Sequence, residues 1–81
     1  MVFPNPFTRS VRVVIDSEKK EKAFIILTDV LGRQLKSLPV QLVPGSNTFS
    51  MEGLDKFPSG NYFLTIQSTA ERKTIKLMRQ Q

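Results

Sequence analysis

Few residue types in this sequence could carry chemistry. It contains no cysteine and no histidine, so neither a thiolate metal site nor the commonest general base is available. Catalysis would have to rest on carboxylates, lysines or hydroxyls. Asp16, Glu18 and Glu21 lie close together, but lysines alternate with them. A catalytic carboxylate pair needs a shared pocket that separates its two pKa values, so we predict that this charged stretch is a solvent-exposed loop with surface ion pairs.

The other polar motifs are better explained as turns. Asp29 follows an apolar run and could ligate a cation, but an Asp that caps its own turn through backbone amides is the simpler interpretation. Residues 44–46 and 58–60 combine proline, serine and glycine, yet they lack the glycine density and the following helix of a phosphate-binding loop. The sequence therefore predicts no metal, no cofactor and no enzymatic activity.

The chain is basic, because twelve Lys and Arg against seven Asp and Glu give a formal net charge of +5. Such an excess can favour an anionic partner such as a lipid headgroup, lipopolysaccharide or nucleic acid, although a solvated surface is the commoner reason. Tyr62, Phe63 and Phe24 could stack on bases. However, Tyr62 and Phe24 lie in predicted strands where a small core needs large side chains. We therefore predict no nucleic-acid partner.

The most apolar stretch, residues 23–27, is the predicted centre of the fold. It has no charged side chain and both of its alternating faces are apolar, which indicates a β-strand buried on two sides. Residues 29–33 then place Asp and Gly around a short apolar pair, a pattern typical of a hairpin turn. Every other strand is expected to pair with this strand or to pack around it.

Alternation of polar and apolar residues predicts strands on both sides of this centre. Residues 9–16 indicate a half-buried strand. Residues 34–42 indicate an edge strand with a bulge or bend between Lys36 and Pro39, because the phase of the alternation changes there and proline cannot donate to a ladder. Residues 43–47 then form a turn.

The C-terminal half is predicted to contain a short strand at 48–52, an irregular stretch and a hairpin of residues 61–68 and 72–79. Short strands joined by polar or Pro/Gly turns predict an all-β fold, specifically a seven-stranded antiparallel immunoglobulin-like β-sandwich. In this fold Leu54 and Phe57 are expected to fill one end of the core. A chain of 81 residues supports one domain, which we assign to residues 1–81.

The sequence also bears on export. No stretch reaches the roughly 18 to 20 apolar residues of a membrane span. Residues 1–4 lack the charged and apolar regions of a secretory signal. If the natural protein is exported, its signal peptide is therefore expected upstream of this sequence.

Four separated motifs resemble one known family. They are, in chain order, FPNPF at 3–7, TDVLGR at 28–33, PSGNYF at 58–63 and KTIKLMR at 73–79. In order and spacing they resemble the C-terminal sorting domain of cargo proteins of the type IX secretion system, also called the Por secretion system. The resemblance spans essentially the whole chain, and the four motifs together are far more specific than any one of them.

The resemblance implies a non-catalytic domain at the end of a larger secreted precursor. In the family, the precursor crosses the inner membrane by an ordinary signal peptide and passes through the periplasm. The domain then directs its N-terminal cargo across the outer membrane, with the outer-membrane translocon, shuttle and sortase-like proteins of the type IX system as partners. A sortase-like peptidase commonly removes the domain at the cell surface, and the cargo stays at the outer membrane or is secreted.

The same resemblance assigns candidate recognition residues by match to the motifs. Gly32 and Arg33 would hold the central turn, and the basic residues near the end would form the terminal signal. The full set is Pro4, Asn5, Pro6, Gly32, Arg33, Pro58, Ser59, Gly60, Tyr62, Lys73, Lys76 and Arg79.

The sequence also departs from the family pattern, because it ends in Arg79-Gln80-Gln81 where many members carry a lysine-bearing tip. An alternative function, based on fold class alone, is an immunoglobulin-like binding or spacer module for glycan or protein ligands. Exposed edge strands leave self-association open as well.

Overall fold

The computed structural model describes residues 1–81 and consists almost entirely of β-strands. One short 3₁₀-helix, Leu54–Lys56, interrupts them. No helix is long and apolar enough to cross a membrane. The seven strands are β1 Val2–Phe3, β2 Val11–Ser17, β3 Glu21–Asp29, β4 Gln34–Leu42, β5 Gly45–Met51, β6 Gly60–Ser68 and β7 Arg72–Arg79.

The strands form two antiparallel sheets. The larger sheet has the order β4-β3-β6-β7, and the smaller has the order β1-β2-β5. This confirms the predicted all-β sandwich and is compatible with an immunoglobulin-like arrangement. It also shows that residues 43–44 join strands of different sheets, since β4 pairs with β3 whereas β5 pairs with β2.

A buried amide organises this crossing between the sheets. Asn47 is only 6% exposed. Its Oδ1 accepts a hydrogen bond from the Val43 N–H at 2.9 Å, and its Nδ2 donates to the carbonyls of Val43 at 2.9 Å and Ile15 at 3.1 Å. These bonds offset the cost of burying a polar side chain and tie the crossing to β2.

One apolar cluster lies between the sheets, and alternation along the strands supplies most of it. Leu54, from the 3₁₀-helix, is fully buried in it, and Phe57 packs against it half-buried, as predicted. The buried members are Phe7, Val11, Val13, Ile25, Leu27, Met51, Leu54, Tyr62, Leu64 and Leu77.

The central strand β3 is buried on one face only, so the prediction of burial on both faces is wrong. Ala23, Ile25 and Leu27 point into the core and are at most 1% exposed, but Phe24 is 49% exposed. Burial on both faces requires a layer on each side of the sheet, and this small chain builds only two layers. Phe24 consequently lies on the outer face of the larger sheet rather than in the core.

Strand β4 is an edge strand, as predicted, and its irregularity lies slightly earlier than expected. Leu27 pairs with Lys36 but Thr28 pairs with Gln34, so Leu35 is the extra residue. Pro39 remains within the regular ladder, opposite Phe24. The edge position explains how the strand accommodates a residue without an N–H group.

The predicted C-terminal hairpin is confirmed. Strand β6 pairs with β7 from Gly60 opposite Arg79 to Gln67 opposite Arg72. In the turn between them, the Ser68 N–H donates to the Glu71 carbonyl at 2.9 Å. The hairpin completes the sheet that carries the late sequence motifs.

Candidate functional site

The opening segment, residues 4–7, lies along β7 at its C-terminal half. Asn5 Nδ2 donates to the Lys76 carbonyl at 3.2 Å, and Asn5 Oδ1 accepts from the Met78 N–H at 3.0 Å. The Phe7 N–H donates to the Met78 carbonyl at 2.9 Å, and the Gln80 N–H donates to the Phe7 carbonyl at 2.8 Å. The segment thus covers part of a sheet edge and links the two ends of the chain.

Two prolines flank the asparagine that makes these bonds. The peptide bonds before Pro4 and Pro6 are both cis. Neither proline has an N–H group to donate. The side-chain amide of Asn5 instead supplies one donor and one acceptor, which are the groups that a backbone residue of a neighbouring strand would offer.

Arg79, the last residue of β7 and of the fourth motif, is buried. It is 9% exposed. Its Nε donates to the Leu54 carbonyl at 3.1 Å and its Nη2 donates to the Asp55 carbonyl at 3.2 Å. The guanidinium therefore fixes the short 3₁₀-helix against β7.

The central turn, residues 29–33, is organised by Asp29. Its Oδ1 accepts the N–H groups of Leu31 at 3.0 Å and Arg33 at 2.9 Å, and its Oδ2 accepts Arg33 Nε at 2.7 Å. Gly32 has a φ of 83°, a conformation that favours glycine. The structure confirms that Asp29 caps its own turn.

The electrostatics of this turn follow from the same contacts. Desolvation raises the pKa of Asp29, but the hydrogen bonds from Arg33 and Leu31 and the charge of Arg33 together outweigh it. The pKa of the Asp29 carboxyl therefore lies below its ordinary value. The carboxylate is engaged within the turn and is not a free acid or base.

The third motif, residues 58–63, packs against the opening segment at the end of the sandwich that holds the central turn. The hydroxyl of Tyr62, near the start of β6, donates to the Pro58 carbonyl four residues upstream, an arrangement that resembles the tyrosine corner of immunoglobulin-like domains. The Tyr62 ring packs edge-on against Phe7 with centroids 6.3 Å apart. Ser59 and Gly60, the latter with a φ of 145°, form the bend between Pro58 and this strand.

Strand register brings all four motifs together. Asp29 pairs with Tyr62, Tyr62 pairs with Leu77, and both Gly60 and Phe7 lie opposite Arg79. A groove of about 430 Å³ separates the central turn from residues 57–62, and the exposed side chains of Val30 and Leu31 contribute to its wall. This end of the sandwich is therefore where the family-like residues meet.

The basic residues of the last motif are arranged differently. Lys76 lies opposite Phe63 on the outer face of the larger sheet, and Lys73 lies opposite Ile66 toward the other end of β7. Both are exposed. These two lysines of β7 remain available to a partner protein, whereas the Arg79 guanidinium is hydrogen-bonded to the carbonyls of Leu54 and Asp55.

Sequence reasoning missed two contributors to this end. Phe7 is 1% exposed and belongs to the core, a position that the sequence interpretation did not assign to it. Its aromatic side chain directly after two prolines was the available signal. The carbonyls that bind Arg79 had no sequence signal, because backbone acceptors carry no residue identity.

No arrangement for metal chemistry is present among these groups. The structure contains no cluster of three His, Cys, Asp or Glu side chains that could hold a metal ion. Asp16, Glu18 and Glu21 lie around a cleft between the sheets, together with Lys19 and Lys73. The polar side chains with defined partners, such as Asn5, Asp29 and Arg79, hold backbone segments together.

Fold and site together define a small immunoglobulin-like β-sandwich. Its motif residues Asn5, Asp29 and Arg79 hydrogen-bond to backbone groups and so stabilise one end of the fold. The family model described as a secretion system C-terminal sorting domain matches residues 1–80, and the chain belongs to this family. No curated protein matches the chain. The match confirms the resemblance that the four motifs indicated.

Family membership gives the coarse function. The chain is a C-terminal sorting signal of type IX secretion, and domains of this family are non-catalytic. Such a signal implies interaction with the type IX machinery and with a cargo domain N-terminal to it. It also implies export across the outer membrane, to the cell surface or into the medium.

Proposed function

We propose that residues 1–81 form a single sorting domain at the end of a larger secreted precursor, and that the type IX machinery reads it as a folded unit. The cargo passes through the periplasm attached to this domain. A shuttle protein and the outer-membrane translocon recognise it, and a sortase-like peptidase then removes it at the cell surface.

The observation that supports recognition of a folded unit is the pairing of the opening segment with β7. Asn5 and Phe7 hydrogen-bond to Lys76, Met78 and Gln80, about seventy residues away in the chain. The motif at the start and the motif at the end are therefore parts of one surface. A receptor that needs both motifs would find them together only in the folded domain.

A reporter fusion tests the proposal. A periplasmic reporter followed by residues 1–81 should reach the surface of a type IX-competent cell, and it should remain inside a strain that lacks the translocon. The mature surface reporter should lack the mass of the 9.2 kDa domain if a peptidase removes it. A fusion that stays in the periplasm would contradict the proposal. Export that does not need the domain would favour a binding or spacer module.

The role of the basic residues of β7 in export is best tested by substitutions and not by a deletion. Removal of residues 76–81 would also remove Leu77 and Arg79, which are buried, so loss of export would report only loss of the fold. Exchange of the exposed Lys73 and Lys76 for serine leaves the core intact. The matched control exchanges Lys19 and Lys20, two exposed cations of the loop after β2.

The expected result is that the β7 variant loses most export whereas the loop variant, with the same net charge, keeps it. Both variants should unfold at nearly the wild-type temperature, because exposed substitutions usually change stability by about 0.5 kcal/mol or less. Equal export of the two variants would show that these β7 cations are not recognised.

A further inference from the structure

Half of the outer edge of β7 has no partner within the chain. Met78 directs its N–H and C=O groups away from β6, toward Asn5 and Phe7. Because the direction alternates along an antiparallel strand, the N–H and C=O groups of Thr74 and the N–H of Lys76 point the same way. The opening segment ends its contact at the Lys76 carbonyl, so these groups form an open edge over residues 72–76.

A cleft lies next to this open edge. It has a volume of about 670 Å³ and separates the two sheets, with Ile15, Ile66 and Ile75 among its lining residues. All three isoleucines are only partly buried. At the other half of β7 the corresponding gap is closed by Phe7, which is 1% exposed. At the open half Met1 lines the cleft but is 76% exposed and does not close it.

The charges differ between the two faces of the open edge, and those of β7 on the outer face are cations. Arg72 and Lys76 point to the outer face of the larger sheet, opposite Gln67 and Phe63. Lys73 lies at the cleft. No Asp or Glu occurs in β7, and the neighbouring strand β6 also has none. A ligand that lies along this edge therefore meets Arg72 and Lys76 on the outer face, whereas the cleft on the other face holds Lys73 together with Asp16, Glu18, Glu21 and Glu71.

We infer that residues 72–76 accept an extended segment of a partner protein as an added antiparallel strand, with carboxylates facing Arg72 and Lys76 and apolar side chains entering the cleft. Strand addition supplies main-chain hydrogen bonds for affinity and uses alternate side chains for specificity. The free backbone groups, the isoleucines of the cleft and the two outer-face cations match the two faces of one such strand. That the partner belongs to the secretion machinery rests on the proposed function.

A second copy of the chain fits this edge poorly. Antiparallel pairing of two β7 strands about Thr74 would place Arg72 of each copy opposite Lys76 of the other. Like charges directly opposite each other destabilise a strand pair. A strand with alternating acidic and apolar residues avoids this repulsion.

The test uses the 81-residue chain and a peptide that alternates glutamate and valine, with a lysine–valine peptide as its counterpart. Amide exchange followed by NMR should show slower exchange of the Thr74 and Lys76 amides, by roughly tenfold or more, in the presence of the acidic peptide. The lysine peptide should give no protection. Protection elsewhere, or equal protection by both peptides, would overturn the inference.

A proline variant removes one edge donor. In Thr74→Pro the outward N–H is lost, whereas the ladder to β6 keeps its bonds, since proline is tolerated at strand edges. Loss of one hydrogen bond corresponds to roughly tenfold weaker peptide binding. The matched control is Gln41→Pro, at an outward position on the opposite edge of the same sheet, which should bind the peptide normally.

A charge-reversal variant keeps the test decisive if the proline variant does not fold. Exchange of Arg72 and Lys76 for glutamate should abolish binding of the acidic peptide and create binding of the lysine peptide. Unchanged binding would overturn the inference. If the chain without peptide protects the same amides as its concentration rises, the occupant is a second copy and the inference is also wrong.

The export assay separates this inference from the proposed function. If the wild-type fusion is exported and the Thr74→Pro and charge-reversal fusions are exported equally well, strand addition by the machinery is wrong and the sorting function stands. If the wild-type fusion is not exported, the sorting proposal fails, while the peptide experiment still decides whether the edge accepts a strand.

Discussion

The two halves of β7 have the same neighbour on one side and differ on the other. Near its end, the strand is flanked by β6 and by Asn5 and Phe7 of the opening segment. Near its start, it has only β6. The covered half contributes Leu77 and Arg79 to the interior, whereas the open half displays Lys73 and other cations. One half of β7 therefore packs into the core, and the other half leaves an edge to which a partner can bind.

The difference follows from what lies beside each half. Asn5 replaces a backbone partner with its side-chain amide, and Phe7 fills the space between the sheets. Unpaired edges invite addition of another strand, so covering one half confines that event to the other. The first three predictions below disturb the covered half and the fourth disturbs the central turn, in order of decreasing expected effect.

Substitution Phe7→Ala should have the largest effect. The ring is 1% exposed and packs against Tyr62, and Phe→Ala changes in cores cost about 3 to 5 kcal/mol. Chemical denaturation should show this loss, which is a large share of the stability of a small domain. The control Phe24→Ala removes a half-exposed ring from the outer face and should cost about 1 kcal/mol or less. Similar losses for both variants would contradict the assigned core.

Substitution Arg79→Ala should destabilise the domain by about 2 to 3 kcal/mol. It removes two hydrogen bonds from a charged donor to the carbonyls of Leu54 and Asp55, and hydrogen bonds to charged groups are worth about 1.5 to 3 kcal/mol. Denaturant unfolding measures the loss, and amide exchange at residues 54–57 should accelerate. Lys76→Ala, an exposed cation on the same strand, serves as the control and should stay near the wild-type stability.

Substitution Asn5→Ala should cost about 1 kcal/mol, because it removes two hydrogen bonds at an exposed site. Exchange of the Met78 amide should become faster, while the Thr74 amide should not change. Asn61→Ala, on the adjacent strand, is the control. An unchanged Met78 amide in Asn5→Ala would argue against the proposed role of the side chain.

Acidification should have the smallest effect and should be confined to the central turn. The pKa of Asp29 is lowered in the folded state, so its stabilising contribution is complete above the ordinary aspartate range and disappears as the pH falls through the lowered value. NMR titration of the Asp29 carboxyl should show this, with loss of protection at the Leu31 and Arg33 amides at the same pH. Arg33→Ala should raise the pKa of Asp29, and Arg12→Ala should not. No difference between these variants would contradict the role of Arg33.

Most strands could be predicted because their pattern is local. The alternation in β2, β6 and β7 reflects which side of a sheet each residue occupies, and the Asp29 cap depends on atoms only a few residues apart. The outer face of β3 could not be predicted in this way. Phe24 and Ile26 look like core residues, and only the number of layers in the folded chain decides which face stays open.

The features that could not be predicted depend on contacts between residues far apart in the chain. The sequence by itself determined the all-β class, the Asp29 turn, the C-terminal hairpin and, through four ordered motifs, the family. Only the tertiary structure decided that Asn5 and Phe7 cover half of β7, that Arg79 is buried while Lys73 is free, and that a cleft adjoins the open half. The physical reason is that local patterns encode the preferences of neighbouring residues, whereas contacts across about seventy residues depend on how the two sheets pack.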